Sequence, residues 1–210
     1  DYFARQAPVT RMVVGHEKEE MEEDNDKGIT AVDKVTIESS VDLFKGLNYG
    51  SYSSNVMTLD LANMKFEQHP FSINKYYKDV SVMNSRKTPE FYKGFDTQAT
   101  YTRIMTKISD SALFTEGEYT QGFTKQLSQS SLREKLFYNK KVTVELVSDY
   151  QLEIGEVVQL DIYKGSSDRK QDFTNSGKYV IGKVERTFKT SEDKMSTRLT
   201  LYTDSDGAEV

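Results

Sequence analysis

The residues able to do chemistry are few and scattered. The most charged run, His16 to Gly28 (H-E-K-E-E-M-E-E-D-N-D-K-G), sets Glu22, Asp24 and Asp26 at alternate positions, a spacing that suggests calcium. An EF-hand loop needs glycine directly after its third acidic ligand and a bidentate Glu at its end, whereas Lys27 and Asp33 stand in those places. The run therefore reads as a solvated acidic loop, because blocks of like charge repel and stay open. His16 beside Glu17 offers half of a metal site, but the only other histidine is His69. A lone surface histidine is the plainer reading.

Nucleophilic sets fare no better. A Ser-His-Asp arrangement would have to use His16 or His69, neither of which sits in a motif, and no G-x-S-x-G turn occurs. Cysteine is absent, which removes thiolate nucleophiles, zinc–thiolate sites and disulfides. Paired carboxylates for glycosidic cleavage sit in no recognisable frame. The scattered glycines form neither a Walker loop nor a dinucleotide fingerprint. The 13 Tyr and 11 Phe admit a sugar-stacking platform, with Tyr76 and Tyr77 as its candidates, against the plainer reading of edge and core aromatics in a β protein. No catalytic residue, metal or cofactor is expected, and the chain is not expected to be an enzyme.

What remains is the scaffold. The chain has 210 residues, enough for one large domain or two small ones at roughly 150 residues each, and enough to bury a core without staples. Its net charge of −5 is uneven: residues 1–35 hold five Lys/Arg against nine Asp/Glu, and the remainder holds 23 against 24. A near-neutral body lacks the basic patch that tight phosphate binding requires. No window approaches roughly 18 apolar residues, so no membrane-inserting helix is expected. The chain opens Asp1-Tyr2-Phe3, which reads as the processed or ordered portion of something longer.

Taken in order, residues 1–35 read as the end of a preceding domain, punctuated by Pro8 and Gly15 and closed by the acidic loop. Val35 and Ile37 alternate as a strand. Ser40 then suits the cap of a short helical turn with Leu43, Phe44 and Leu47 as its apolar side. Asn55–Leu59 and Met64–His69 form the clearest hairpin, with Asp60 and Asn63 suited to its turn. Pro70 should stop the return strand or place it on an edge, and Phe71, Ile73, Tyr76 and Tyr77 continue it as an extended segment. Residues 78–123 read as a largely polar stretch of loop, anchored at Phe91-Tyr92. Its one strand, 98–109, puts Thr100, Thr102, Ile104, Thr106 and Ile108 on one face.

A helix is expected over about Lys125–Asn139, with Phe123, Leu127, Leu132 and Leu136 near helical spacing. Four alternating strands follow. Val142, Val144 and Leu146 share a face in the first; Gly155 suits a bend or positive φ; Val158, Leu160 and Ile162 alternate in the second. A flexible loop from Gly165 to Gly177 leads to a third, where Val180, Val184 and Phe188 share a face across Gly182. Leu199 and Leu201 close the set. The fold expected is mainly β (α+β): a small antiparallel barrel or curled sheet over Thr124–Asp204, with the helix packing over one opening.

This serial order resembles the C-terminal tube domain of baseplate central hub proteins from contractile-tailed bacteriophages. Two pieces carry most of the resemblance: L-x-x-G-x-x-V-x-L at Leu152, Gly155, Val158 and Leu160, and S-G-x-Y-x-I-x-x-V at Ser176, Gly177, Tyr179, Ile181 and Val184. Upstream, G-S-Y-S-S-N-V-M-T-L-D-L-A-N-M-K-F (Gly50–Phe66) is similar to a run these hubs place before a hairpin with Asp at its turn. None of these motifs is catalytic; they imply structural or oligomer-forming positions. Such hubs often carry His in V-x-H at the end of the third strand, where this chain has Arg186.

The resemblance implies a virion protein of the tail baseplate, a homotrimer that joins a threefold spike to a sixfold tail tube. It implies contacts with the tail tube protein, the spike protein and other baseplate proteins, and DNA only in transit through the lumen. It also implies that 36–77 and 124–205 form the tube-like barrel domain, with 78–123 a small inserted β region, 206–210 a tail, and a sister tube domain before Asp1. A glycan-binding β-domain of a tail or surface appendage is the alternative. A lytic tail enzyme has no residue in its favour.

Overall fold

A computed structural model describes residues 2–14, 29–39, 43–61, 63–79, 81–87, 89, 103–109, 118–138, 140–146, 151–164, 170–190 and 194–207. The acidic run 16–28, the Phe91-Tyr92 anchor and the turn at Asp149-Tyr150 lie outside the described residues. The chain forms two compact units, 1–40 with 81–88 and 137–210, and 41–80 with 89–136.

The first unit is a curled sheet. Its strands are β1 (Arg11–Val14), β2 (Ile29–Ala31), β3 (Lys34–Ser39), β8 (Lys140–Leu146), β9 (Val157–Lys164), β10 (Lys170–Gln171), β11 (Gly177–Lys189) and β12 (Lys194–Thr203), after a short helix α1 (Tyr2–Arg5). They are ordered β2-β1-β9-β11-β12-β8-β3, with β10 on β9; β1 runs parallel to β2 and β9, and the other pairs are antiparallel. The two ends of that path belong to one short segment. Val32 N donates to Val13 O at 3.1 Å, and Asp33 N, the next residue, donates to Glu145 O at 3.0 Å. Ala31 and Lys34 are three virtual bonds apart, about 11 Å at most, so the sheet must curl until its ends nearly meet. Two-residue strands β6 (Arg86–Lys87) and β13 (Ser205–Asp206) pair beside it.

Alternation builds the core as the sequence predicts. Val142, Val144 and Leu146 from β8, Val158, Leu160 and Ile162 from β9, and Leu199 and Leu201 from β12 form one buried cluster with Met12, Leu152, Tyr179 and Ile181. β11 departs from expectation. A bulge between Ile181 and Lys183 shifts the alternation by one residue, as an extra residue in a strand must. Tyr179, Ile181 and Val184 therefore share the core face, while Val180 turns to the other side with Val157 and Met83. Phe188, expected beside Val180 and Val184, is exposed.

The second unit holds α2 (Leu43–Asn48), β4 (Ser53–Asp60), β5 (Lys65–Ser72), α3 (Ile73–Asp79), β7 (Arg103–Ser109) and α4 (Glu118–Phe137, whose last residue belongs to the first unit). The predicted hairpin β4–β5 forms, with Asp60 opposite Lys65, and Asn63 Nδ2 donates to Asp60 Oδ2 at 3.0 Å across the turn. β5 is an edge strand, which is where Pro70 can be tolerated. β7 lies parallel to β4 on the other side.

Three expectations fail in this unit. Residues 73–79 are helix rather than extended strand, since Ile73 and Tyr76 at i and i+3 bury one helical face against Phe71 and Tyr52. Phe44 is 79% exposed rather than buried. The long helix starts at Glu118, and its inward stripe is Thr124, Ser128, Leu132 and Leu136, four residues apart and half polar. Leu132 and Leu136 pack on Tyr52, Phe71, Ile73 and Tyr76, so the helix is part of the core of the second unit.

The sequence-based partition into 1–35, 36–77 with 124–205, and 78–123 is likewise not the one the contacts draw. β1 and β2, given there to a preceding domain, are integral strands of the curled sheet, while 41–80 leaves it for the second unit. The segment 165–177 is more than a flexible loop: Lys170 and Gln171 pair with β9, and a tight turn follows at Asp172–Ser176.

Candidate functional site: strand flanks and locked corners of the curled sheet

The motif residues singled out in the sequence gather in one place. Leu152, Val158, Leu160, Tyr179 and Ile181 are all buried in the core of the curled sheet, with Val184 packed against it. The two motif glycines act on the backbone. Gly155 has φ +92°, a conformation that costs a side chain but not glycine. There its N–H donates to Ile181 O at 2.8 Å, and Ile181 N donates back to Glu156 O at 2.9 Å, locking the entry of β9 to β11. Gly177 has φ +147°, and a Cβ there would stand 2.5 Å from Asn84 Oδ1.

Ser176 and Tyr179 lock the other corner. Ile162 N donates to Ser176 Oγ at 2.9 Å, and the Tyr179 hydroxyl donates to Asn175 O at 2.7 Å. Burial pushes the Tyr179 phenol well above the ordinary tyrosine range, and the carboxylates of Asp206 and Asp172 push it the same way. The tyrosine is thus a neutral hydrogen-bond donor, without the chemistry of a base. The motifs hold corners and carry no reagent.

Sequence reasoning missed the polar residues that complete these locks. Asn84 Nδ2 donates to Lys178 O (3.1 Å), Thr203 Oγ1 (3.0 Å) and Ser205 O (3.2 Å), while Lys178 N donates to Asn84 Oδ1 at 2.7 Å. Buried Asp161 accepts from Arg11 Nε at 2.5 Å, Gln159 Nε2 at 3.0 Å and Gln171 Nε2 at 3.2 Å. Lys140 donates to Thr174 O at 2.7 Å and pairs with Asp206. Partners so distant in sequence leave no local signal. Arg186, standing where the resembled family often has His, donates to Leu152 O at 3.0 Å and ties β11 to the residues before β9.

The remaining sequence candidates are not brought together. His69 lies near Thr58 Oγ1 (3.3 Å) and Glu67 (3.7 Å), and His16 falls outside the described residues. Among the described residues no group of three or more His, Cys, Asp or Glu is placed to hold a metal ion. Tyr76 is 3% exposed, so it is core and not a stacking platform; the side chain of Tyr77 lies outside the described residues. No helix among the described residues is long and apolar enough to cross a membrane.

What the curled sheet does present is open strand flank. β3 ends the sheet path, and along Lys34–Ser39 only β8 flanks it among the described residues. The β9–β11 ladder ends at Val157 opposite Val180, with Gly155 and Glu156 bonded to Ile181 just beyond it, yet β11 continues with β12 as far as Lys189 opposite Lys194. Among the described residues β8 pairs with β12 as far as Thr197. The β11–β12 hairpin therefore extends past both of its neighbours among the described residues, with Phe188 57% exposed near its end.

No known protein family and no curated protein matches the sequence. Among solved structures the chain is similar to the tail protein from Neisseria meningitidis MC58, at 10% identity and a TM-score of 0.46, over 96% of this chain and 45% of that one. The chain thus spans less than half the length of that protein.

Proposed function

We propose that this chain is a structural, non-enzymatic tail protein of a contractile-tailed phage particle: part of a baseplate hub or tube adaptor. In this reading it joins a threefold spike to a sixfold tail tube as a homotrimer, against tail tube, spike and other baseplate proteins, and lines part of the channel through which DNA passes.

One observation carries the reading: a curled sheet whose motif residues are spent on corners and core, leaving two strand flanks as its working surface. A flank with unpaired N–H and C=O groups is a template for another strand, and closed rings arise when such contacts repeat by rotation. The serial order of the two motifs adds to this. A body that is near-neutral outside residues 1–35 suits a channel that must let DNA slide rather than hold it.

Gold-labelled antibody against the chain, imaged on intact particles, tests the location. Label at the baseplate end of the tail is expected, and particles without label at saturating antibody would sink the proposal. Mass measured by light scattering on the full-length protein checks the assembly: a trimer is expected, and a monomer at micromolar concentration contradicts it.

A further inference from the structure

The second unit contains a cavity of about 340 Å³. It is walled by the turn before β4, the start of β4, Phe71 of β5, and one stripe of α4. That stripe runs 128, 131, 132, 135, the spacing of a face that turns inward. Only one of its four residues is a large apolar; the others are Ser128, Ser131 and Lys135. Small polar side chains where a core would place leucines leave the space open.

The cavity is unsatisfied as well as open. Ser128 is 1% exposed and Ser54 is 7% exposed, both line it, and neither hydroxyl has a hydrogen-bond partner. A buried hydroxyl without a partner costs free energy that a bound polar group returns. Among the described residues the lining includes a single cation, Lys135, and no acid, and Lys135 makes no ion pair with any of them. Tyr49, 71% exposed, also lines it, while Tyr52 and Phe71 supply a buried aromatic wall.

We propose that this cavity is a binding site for one acidic sugar unit, a pyranose bearing a carboxylate. Each requirement of that ligand has a counterpart. The carboxylate meets Lys135, and the C–H face of the ring lies on aromatic surface, where amphipathic rings pack well. The Ser54 and Ser128 hydroxyls, shielded from the cavity in the empty chain, pair with ring hydroxyls after each turns about χ1 to another staggered rotamer. The volume is at the lower end of small-ligand pockets, roughly 300–1,000 Å³, which suits one ring rather than an extended chain. An apolar ligand would leave both serines unpaired, and an inorganic anion would leave most of the space and the aromatic wall unused. The site is independent of the assembly role proposed above and stands or falls separately.

The test is a titration of the isotope-labelled 210-residue chain with D-glucuronate, D-glucose and acetate, followed by amide chemical shifts. Glucuronate should shift amides of Gly50–Ser54 and Ser128–Lys135 with a Kd of about 1 mM, as one small ring with few contacts allows. Lys135→Gln should weaken it about tenfold, the loss of one charge-assisted bond, with glucose unchanged. Ser128→Leu, which fills the space, should abolish it. Because Lys135 is exposed, its variant keeps the test decisive even where Ser128→Leu does not fold. Acetate binding as tightly as glucuronate would leave a bare anion site and overturn the sugar; glucose equal to glucuronate would overturn the charge. No shift at these amides with any probe would leave a cavity filled by water only, and the proposal would be wrong.

Discussion

The two units solve the same problem of burying a core with opposite economy. The curled sheet buries a cluster of a dozen residues, all apolar apart from the phenol of Tyr179, whose hydroxyl is bonded. Its buried polar groups are mostly paired across long sequence distances: Asp161 with Arg11, Asn84 with Lys178 and Thr203, Lys140 with Asp206. Thr197 Oγ1 is its one unpartnered buried side-chain atom among the described residues. The second unit buries an apolar cluster of six residues, half of them aromatic, and leaves Asn55 Oδ1 without a partner, as well as Ser54 Oγ and Ser128 Oγ of two residues that line an open cavity. Rigidity is built into one unit; unsatisfied space is left in the other.

The sharpest way to break that comparison is to make equal cavities in both. Leu199→Ala in the curled sheet should cost about 3–5 kcal/mol, because a fully packed site relaxes little around a deleted side chain. Leu132→Ala, beside space already open, should cost about 2 kcal/mol, the low end of the same series. Urea unfolding followed by amide exchange within each unit checks both, and equal losses would mean that the second unit is as tightly packed as the first.

Next in size is Asn84→Ala. It removes the acceptor of Lys178 N and the donor to Thr203 and Ser205, leaving buried groups unpaired, for a loss of about 2–3 kcal/mol. A loss under about 0.5 kcal/mol, the range of ordinary surface substitutions, would show that the corner does not depend on this bracket.

Tyr179→Phe should cost only about 1 kcal/mol at neutral pH, one net hydrogen bond, but it should also change the pH profile. The phenol is protonated in the folded chain to higher pH than in the unfolded chain, whose value is about 10. Between those points the unfolded state binds fewer protons, so the contribution of Tyr179 is full below about pH 10 and is lost as pH rises beyond it. The variant should lose less stability than the parent on going from pH 9 to 11. Parallel profiles would deny the buried, neutral phenol.

The same contrast explains what could be read in advance. Strands with strict alternation, such as Val142-Thr143-Val144 and Leu199-Thr200-Leu201, announce their inward face because a half-buried strand repeats every two residues. Gly155 was legible as a positive-φ position, and Asp60 and Asn63 as a turn. The bulge at Gly182 was not, since one extra residue reverses parity without any change of composition. Residues 73–79 misled because Tyr and Ile favour strands intrinsically, while tertiary burial of Ile73 and Tyr76 selected helix. The cavity was hidden for a related reason: a search for apolar spacing follows Leu127, Leu132 and Leu136, whereas the stripe that turns inward begins with Thr124 and Ser128.

Ser128 is therefore where the smallest effect says most. In a satisfied core, removing a buried hydroxyl strands its partner and costs about 1–3 kcal/mol. Thr203 offers that control, since its Oγ1 accepts from Asn84 and donates to Ser205 O at 3.3 Å, and Thr203→Val should show the full cost. Ser128 has no partner to strand. Ser128→Ala removes a group that is desolvated without compensation, and alanine also favours the helix by a few tenths of a kcal/mol. Its expected effect is a change within about 0.5 kcal/mol, or a small gain in stability. A loss above about 1 kcal/mol would mean that ordered water already satisfies this hydroxyl, and the contrast between a satisfied unit and an unsatisfied one would disappear at the residue on which it rests.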